Sequence, residues 1–536
     1  MMHRTRVSRP SRRAARRGAN PRPPRRSGCR PWLAHLLPLL CTLACTPWGG
    51  GVPSGLPNVV LILADDLGFG DPRCYAPDSR LRTPHIDALA RDGLRFTDAH
   101  APASVCSPTR YGLLTGRYAW RTALRRSVLW PWDRPLIEPD RLTLSALLKA
   151  RGYTTACIGK WHLGWSWPGH DGAPIALGEQ VRPGVMAMAQ RRALEARIDF
   201  TRRIRGGPTD RGFDLYFGDD VPNFPPYAWI ENDRLLRVPE LDKPATMFGR
   251  PGGMVRGWRL EAVLPELADR ARRWIHAQRG PFFLFLSLTA PHTPIAPDAR
   301  FAGRSAAGAY GDFVEQTDWV VGEVRAALAQ SGHAGDTLLL FTSDNGSPAR
   351  DGTGMSGPPG SVTRRFGHRP SGPWRGMKWE IFEGGHRVPL IACWPGVVAG
   401  ARTSAAPVVL TDVLRTVAGV VGSAVPEGAG EDSFDFAPVL RGAPDAALQR
   451  DHMVHHAADG TFAIRVGRYK WIVGAGGTRA ARRGAKVPGR LYDLVEDPGE
   501  TRDLYRERPE VVAALQARLA SIRAAGRSYP RRAAKP

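Results

Sequence analysis

Cysteine is scarce in this chain of 536 residues. There are seven, of which Cys29, Cys41 and Cys45 lie near the N-terminus, while Cys74, Cys106, Cys157 and Cys393 stand at irregular spacing. So few and so scattered, they build neither a disulfide framework nor a zinc-finger pattern. Long apolar runs are missing too. The best, over residues 31–46, is broken by His35 and Pro38 and falls short of the ~20 residues that a spanning helix needs, so no transmembrane span is expected. Internal repeats are absent, and so is any aromatic-basic RNA-binding motif, so no nucleic-acid partner is expected. What remains is 43% apolar, 23% charged and 8% aromatic, close to ordinary globular usage. At ~150 residues per domain, the length predicts more than one folded unit.

Acidic residues are absent from residues 1–51, which carry 11 Arg and no Lys. Of the 75 basic residues, 64 then face 50 acids, leaving the body at +14 rather than the whole-chain +25. A moderately basic body attracts polyanions in general, sulfated sugars among them. The Arg-rich stretch Arg4 to Arg30, the short apolar run and Gly49, Gly50 and Gly51 follow the order of a cleaved export signal. Arg12-Arg13 after Ser11 also fits a twin-Arg signal, and Ala44-Cys45 loosely resembles a lipoprotein cleavage site, so a lipid anchor stays open beside a periplasmic or secreted destination.

Near-continuous apolar runs at 58–64, 153–158, 282–288, 337–342 and 388–394 predict strands buried on both faces. Leu260, Leu264, Leu267, Ala271 and Trp274 lie on one helical stripe. Strands alternating with helices indicate an α/β sheet. Polar groups follow four of the strands: Asp65-Asp66, Lys160 with His162, His292, and Asp344-Asn345. Ligands of open α/β sheets bind outside the carboxyl ends of strands, so these groups are expected to meet in one crevice. Segments 165–255 and 346–376 lack periodicity and read as rim loops or insertions. After about Leu440 the pattern changes to a hairpin, 462–466 and 469–473, and a final helix with Val511, Leu515, Leu519 and Ile522 on its stripe. The domains expected are thus an export leader over 1–51, a catalytic domain over 52–438, and a small α+β unit with a basic tail over 439–536.

The decisive stretch is Ser104-Val105-Cys106-Ser107-Pro108-Thr109-Arg110, followed by Leu113-Leu114-Thr115-Gly116-Arg117. Pro108 suits a first helical turn, which puts Cys106 at a helix mouth that favours anions. By itself this is a cysteine nucleophile or a buried thiol. The pattern C-x-P-x-R before Leu-Leu-Thr-Gly-Arg resembles the type I sulfatases, in which that Cys is oxidised to formylglycine. The resemblance, closest to arylsulfatases and N-acetylgalactosamine-6-sulfatases, runs from about Asn58 to Leu504. It includes Pro57 to Asp66, Thr83-Pro84-His85-Ile86-Asp87, Gly159-Lys160-Trp161-His162-Leu163-Gly164, Ala290-Pro291-His292, Ser343-Asp344-Asn345-Gly346, Gly376-Met377-Lys378 and Leu491-Tyr492-Asp493-Leu494.

The resemblance implies an alkaline-phosphatase-like fold: a large mixed sheet flanked by helices, with a smaller C-terminal α+β domain. It implies sulfate-ester hydrolysis on a sulfated carbohydrate or aryl sulfate, after a formylglycine-generating enzyme has acted on Cys106. A Ser or Cys attacking a sulfate ester would be left stably sulfated, whereas a hydrated aldehyde releases the product itself. Carried over by position, Asp65, Asp66, Asp344 and Asn345, with formylglycine 106, would hold one divalent cation. That oxygen set suits Ca2+ better than Mg2+, which keeps more waters. Arg110 and Lys160 would hold the diol, His162 would take the proton of its second hydroxyl, and Lys378 with His292 would bind sulfate and assist the departing oxygen. Asp344 would also help deprotonate the attacking hydroxyl. Glu383-Gly384-Gly385-His386-Arg387 reads as architecture around a strand entry, and no role is assigned to His368, His455 or His456. The rival readings are a phosphate mono- or diester hydrolase of the same superfold and a catalytically silent polysaccharide-binding relative. Exo or endo action and oligomeric state are not legible.

Overall fold

All five apolar runs become strands of one ten-stranded mixed sheet in the computed structural model, which describes residues 55–175, 187–476 and 487–530. The export leader lies outside the described residues, as does the end of the basic tail. Across the sheet the strands run Arg402–Ser404, Leu94–Phe96, Leu390–Cys393, Thr337–Ser343, Asn58–Asp65, Phe282–Pro291, Thr154–Gly159, Leu215–Gly218, Ile230–Glu231 and Arg234–Leu235. The central strand Asn58–Asp65 is parallel to both neighbours, and Phe282–Pro291 is parallel to Thr154–Gly159. Four strands therefore end on the same edge. The register sets Ala64 beside Ser343 and Asp65 beside Pro291, while Ser287 lies beside Gly159. The run at 388–394 is trimmed to Leu390–Cys393 and lies antiparallel to Thr337–Ser343, so it brings no site group to that edge.

Near-continuous apolarity is needed because both faces are covered. Val59, Leu61 and Leu63 pack on one side with Phe283, Phe285, Leu338 and Leu340. Val60, Ile62 and Ala64 pack on the other with Leu284, Leu286, Leu339 and Phe341. The second face is roofed by the helices Val263–Ala277 and Gly308–Gln330, through residues such as Leu264, Leu267, Ala271, Val314 and Val321. Trp274 is only partly buried there, and Ile275 takes the fully buried place at the end of the stripe. Over the first face lies the helix Cys106–Thr115, anchored by Tyr111, Leu113 and Leu114. Each fully buried Leu contributes roughly 1.5–3 kcal/mol, so a charge in the middle of any of these strands would defeat the packing of both layers.

The two aperiodic segments are structured where described. Segment 165–255 supplies the edge strands Leu215–Gly218, Ile230–Glu231 and Arg234–Leu235. Segment 346–376 carries the short helix Ser361–Phe366 and is pinned where His368 Nε2 lies 2.7 Å from Asp71 Oδ1. Tyr310 donates to the other Asp71 oxygen at 2.6 Å. The expected hairpin forms the middle of a four-stranded antiparallel sheet, His452–His456, Phe462–Val466, Tyr469–Val473 and Gly489–Asp493. The helix Pro509–Ala525 covers it with Val512, Leu515, Leu519 and Ile522; Val511, expected on that stripe, is only partly buried.

Candidate active site

The polar residues after the four parallel strands, and the mouth of the Cys106–Thr115 helix, come together at one sheet edge. Asp66 follows the central strand with φ of 65°, and that left-handed turn points it and Asp65 into the same space. Asp344 follows Ser343, and its Oδ1 accepts the Asp66 N–H at 3.1 Å. Its Oδ2 accepts from Arg110 Nε at 3.2 Å and Nη2 at 2.8 Å. Arg110 lies one helical turn beyond Cys106 and so shares its face. Its Nη1 donates to the Lys160 carbonyl at 3.1 Å and to Ser287 Oγ at 2.5 Å. Lys160 Nζ donates to Asp65 Oδ2 at 2.6 Å, and Lys378 Nζ donates to Asp66 Oδ1 at 2.6 Å.

Cys106 lies among these charges, only 1% exposed. Its Sγ is 3.6 Å from Asp65 Oδ1 and 3.3 Å from Lys378 Nζ. Burial, helped by Asp344, pushes the thiol up to about 12 against the pull of Lys160 and Lys378. At neutral pH it is therefore a protonated thiol, not a thiolate nucleophile. Burial also opposes the charge of Asp65, but Lys160, Arg110 and Lys378 outweigh it and hold the carboxyl below the usual range. For Lys378 burial is likewise overcome, chiefly by Asp66, and its pKa rises above that of an ordinary lysine.

The histidines are held neutral. Burial, reinforced by Lys160 and Arg110, keeps His162 well below the usual imidazole value. Its Nε2 lies 2.9 Å from the Leu129 carbonyl, so the ring proton sits there. Nδ1 is left buried and without a hydrogen-bond partner among the described residues: a lone pair ready to accept a proton. His292 is kept well below its usual value by burial and Lys378. Its Nδ1 proton faces the Thr293 carbonyl at 2.5 Å, which leaves Nε2, 3.8 Å from Asp66 Oδ2, as an acceptor.

The donor set fits a hard cation. Ligand atoms of Asp65, Asp66, Cys106 and His292 lie within 4.8 Å of one another. Asn345 Nδ2 donates to Asp66 Oδ1 at 2.7 Å and to the Gly346 carbonyl at 3.0 Å, while its Oδ1 is buried with no partner among the described residues. That amide oxygen and the carboxylates of Asp65, Asp66 and Asp344 make up an all-oxygen donor set of the kind that suits a hard divalent cation. The turn that presents the amide requires Gly346, where a Cβ would fall 1.9 Å from the Gly384 carbonyl.

Several supporting residues went unnoticed in the sequence. Ser287, inside an apolar run, donates to the Lys160 carbonyl at 2.6 Å and receives Arg110. Asp220 Oδ1 accepts the His162 N–H at 2.9 Å, holding a backbone with φ of 54°. His386 and His455 belong to a second buried cluster with His100, whose ring nitrogens lie within 4.8 Å of one another. Lys470 Nζ is 3.0 Å from His386 Nε2, His386 Nδ1 is 3.0 Å from His100 Nδ1, and His100 Nε2 is 2.8 Å from Asp98 Oδ1. A proton on each successive imidazole satisfies this chain from lysine to aspartate without a metal. His455 stacks flat on His386, with ring centroids 3.9 Å apart, and two stacked rings do not aim lone pairs at one ion. The cluster ties Lys470 of the C-terminal sheet to the segment leading to Cys106, since the Ala101 N–H donates to the His386 carbonyl at 2.7 Å. The architectural reading of the Glu383–His386 turn agrees with this geometry.

Residues 57–423 match a family model described as sulfatase. The chain is 31% identical over 523 residues to an N-acetylgalactosamine-6-O-sulfatase of Bacteroides thetaiotaomicron, covering 92% of this chain and 99% of that one. It is 32% identical over 492 residues to arylsulfatase A of Homo sapiens, covering 86% of each. A solved structure concerned with glycosaminoglycan metabolism in Bacteroides thetaiotaomicron superposes with a TM-score of 0.73 at 28% identity, over 88% of this chain and 99% of that one. A Pseudoalteromonas sp. sulfatase gives 0.64 at 26%, over 87% and 91%.

Proposed function

This chain belongs to the sulfatase family and is a sulfuric ester hydrolase of alkaline-phosphatase-like fold, and from that premise we propose that it desulfates carbohydrates through a formylglycine made from Cys106 and one Ca2+. The observation that carries the nucleophile is the position of Cys106: buried at a helix mouth, its Sγ lies 3.3 Å from Lys378 Nζ and 3.6 Å from Asp65 Oδ1, where the site's cations and carboxylates meet. Burial raises the thiol, which makes the bare cysteine a poor attacking group. The hydrated aldehyde would supply one hydroxyl to take the sulfuryl group and a second whose deprotonation expels sulfate. Asp65, Asp66, Asp344 and Asn345 would hold the cation, which would supply fixed charge for a sulfate oxygen.

The remaining residues act around that centre. Arg110, fastened to Asp344 and Ser287, keeps a guanidinium at the helix mouth beside residue 106. Lys160 and Lys378 flank the same position from opposite carboxylates, Asp65 and Asp66. Such preorganised cations stabilise charge developing on a transferring sulfuryl group without reorganisation. Lys378, held protonated, donates to a sulfate or departing oxygen. His162 accepts a proton at Nδ1, while the Leu129 carbonyl keeps the other ring nitrogen protonated. His292 contributes an acceptor at Nε2. Cys106 and Arg110 are buried, so the generating enzyme must reach the Cys106, Pro108, Arg110 pattern before the chain folds.

Sulfated sugars as substrate are supported by the activity named for the N-acetylgalactosamine-6-O-sulfatase relative and by the basic body of the chain. The test is a pair of matched aryl esters followed by a screen of defined sulfated sugars. Phosphate monoesters carry nearly twice the charge of sulfate, and the site's cations attract both. Expulsion of the more charged group is slower, so kcat/KM for the aryl sulfate should exceed that for the phosphate by at least ~100-fold, or ~2.7 kcal/mol. Equal or reversed efficiencies, on protein with confirmed formylglycine, would overturn the assignment.

A further inference from the structure

The far end of the Cys106–Thr115 helix opens on a second cleft. Its volume is about 550 Å3, and it is lined by the residues following that helix, by Asp459 to Phe462 of the C-terminal sheet, and by the end of the last helix. Ten helical residues rise about 15 Å, so this cleft is separate from the site around residue 106. Trp120, 7% exposed, and Phe462 meet edge to face at 5.3 Å beneath the cleft, with Arg121 over the Trp120 ring at 4.2 Å. Arg121 is locked by Asp432 at 2.7 Å, and Arg117 by Glu138 at 3.2 Å and Glu431 at 3.4 Å.

The mouth is different. Arg125, Arg126 and Arg523 line it, and none of them has a carboxylate within ion-pair distance among the described residues. Arg523 lies over the Phe462 ring at 5.0 Å. The backbone beneath them is fixed, since the Arg125 carbonyl is 2.7 Å from His456 Nε2 and the Ser127 N–H donates to the Ala458 carbonyl at 2.6 Å. The one acid in the lining, Asp459, accepts the Thr461 N–H at 2.9 Å, and the three arginines outnumber it. Three exposed guanidiniums against one carboxylate call for an oxyanion, which Arg takes through two N–H groups.

We propose that this cleft is an anchoring site for a second sulfated residue of the polysaccharide whose sulfate ester is cleaved at residue 106. The inference rests on the sulfated-carbohydrate reading above. The cleft is of small-ligand size, which suits a sulfated sugar unit better than the long basic track that a nucleic-acid backbone needs. The segment after Arg126 leads back to the catalytic mouth, where the Leu129 N–H donates to Ser107 Oγ at 3.1 Å and its carbonyl meets His162 Nε2 at 2.9 Å, so an anchored chain acts on KM for polymers and not on the chemical step.

The test uses the full chain and the double variant Arg125→Glu, Arg126→Glu. Both side chains are exposed, so folding should be unaffected, and a thermal midpoint checks it. Reversing two exposed anion contacts should raise KM for chondroitin sulfate chains by about 10-fold, with kcat, and kcat/KM on 4-nitrophenyl sulfate, unchanged. Binding is measured separately in a Cys106→Ala background, with sulfated chains, chemically desulfated chains and a single-stranded oligonucleotide at one ionic strength. Tight binding of sulfated chains alone, weakened by the double variant, supports the anchor. Unchanged binding of sulfated chains in the double variant overturns it, as does equal, Arg125- and Arg126-dependent binding of the oligonucleotide. If the unmutated protein cleaves no sulfate ester, the sulfatase reading fails, while the binding arm still decides the cleft.

Discussion

Replacing Lys470 by methionine removes a buried ammonium and keeps most of its volume, isolating the electrostatic part of the cluster that joins the C-terminal sheet to the catalytic sheet. Lys470 is 0% exposed. Its Nζ lies 2.9 Å from Glu383 Oε1, 2.9 Å from Glu500 Oε1 and 3.0 Å from His386 Nε2. Glu383 keeps Arg387 at 2.8 Å, and Glu500 keeps the Glu383 N–H at 2.7 Å, so one cation is lost and the rest of the network stays. Deleting one partner of a buried pair costs about 3–5 kcal/mol, because the carboxylate left behind is desolvated and uncompensated. Burial disfavours the charge of Glu383, but Lys470, then Arg387, hold its pKa well below the ordinary 4.5. A depressed acid stabilises the fold above its unfolded pKa, and that contribution is lost as pH falls through the folded value. Lys470→Met relieves the depression, so its deficit should be largest at neutral pH and narrow as pH drops below about 4.5. Unfolding midpoints for wild type and variant, from about pH 2 to about pH 8, measure this. Adding Glu500→Gln should recover part of the loss. A pH-independent deficit, or a variant as stable as wild type, would refute the assignment of Lys470 as the charge that holds this cluster.

Two further outcomes follow from the catalytic site. Mass spectra of the tryptic peptide 96–110 from active protein should show the aldehyde or its hydrate at residue 106 in place of the thiol, and Cys106→Ser should abolish turnover; unmodified cysteine in fully active enzyme would contradict the proposed nucleophile. Exhaustive chelation, or Asp344→Ala, should lower activity sharply, and Ca2+ should restore it to the chelated wild type alone. Metal analysis that found two transition-metal ions per chain would turn the assignment toward a phosphatase-like site.

The site was legible because its residues come immediately after runs that could only be buried strands. Asp65, Lys160, His292 and Asp344 each stand within a few residues of an apolar stretch, and the parallel order of those stretches is enough to bring them together. What the sequence hid is contact between residues whose local context says nothing. Ser287 sits within an apolar strand and looks like a tolerated polar residue, yet it receives Arg110 from 177 positions away. Lys470 alternates within a hairpin strand, and its partner Glu383 is 87 positions distant. The long Gly346–Gly376 segment shows no period because it is held by side chains, His368 on Asp71 and Ser347 on the Tyr310 hydroxyl, not by a regular face. The last helix missed by one position, Val512 for Val511, because two adjacent valines carry no phase and only packing against the sheet chooses between them.

The same reasoning explains why a cysteine motif could not, as bare sequence, declare its chemistry. A cysteine at a helix mouth beside basic residues is the usual recipe for a lowered pKa, and Arg110, Lys160 and Lys378 are all present. The fold reverses the outcome. Complete burial and the Asp344 carboxylate outweigh those cations, because each is already paired with an acid, Arg110 with Asp344, Lys160 with Asp65 and Lys378 with Asp66. A divalent ion on the carboxylates would change that balance, offsetting the acids and leaving the charge of the three cations in excess toward an oxyanion. Three acids paired with three bases are balanced, so a bound cation would tip the same fixed groups toward an anion.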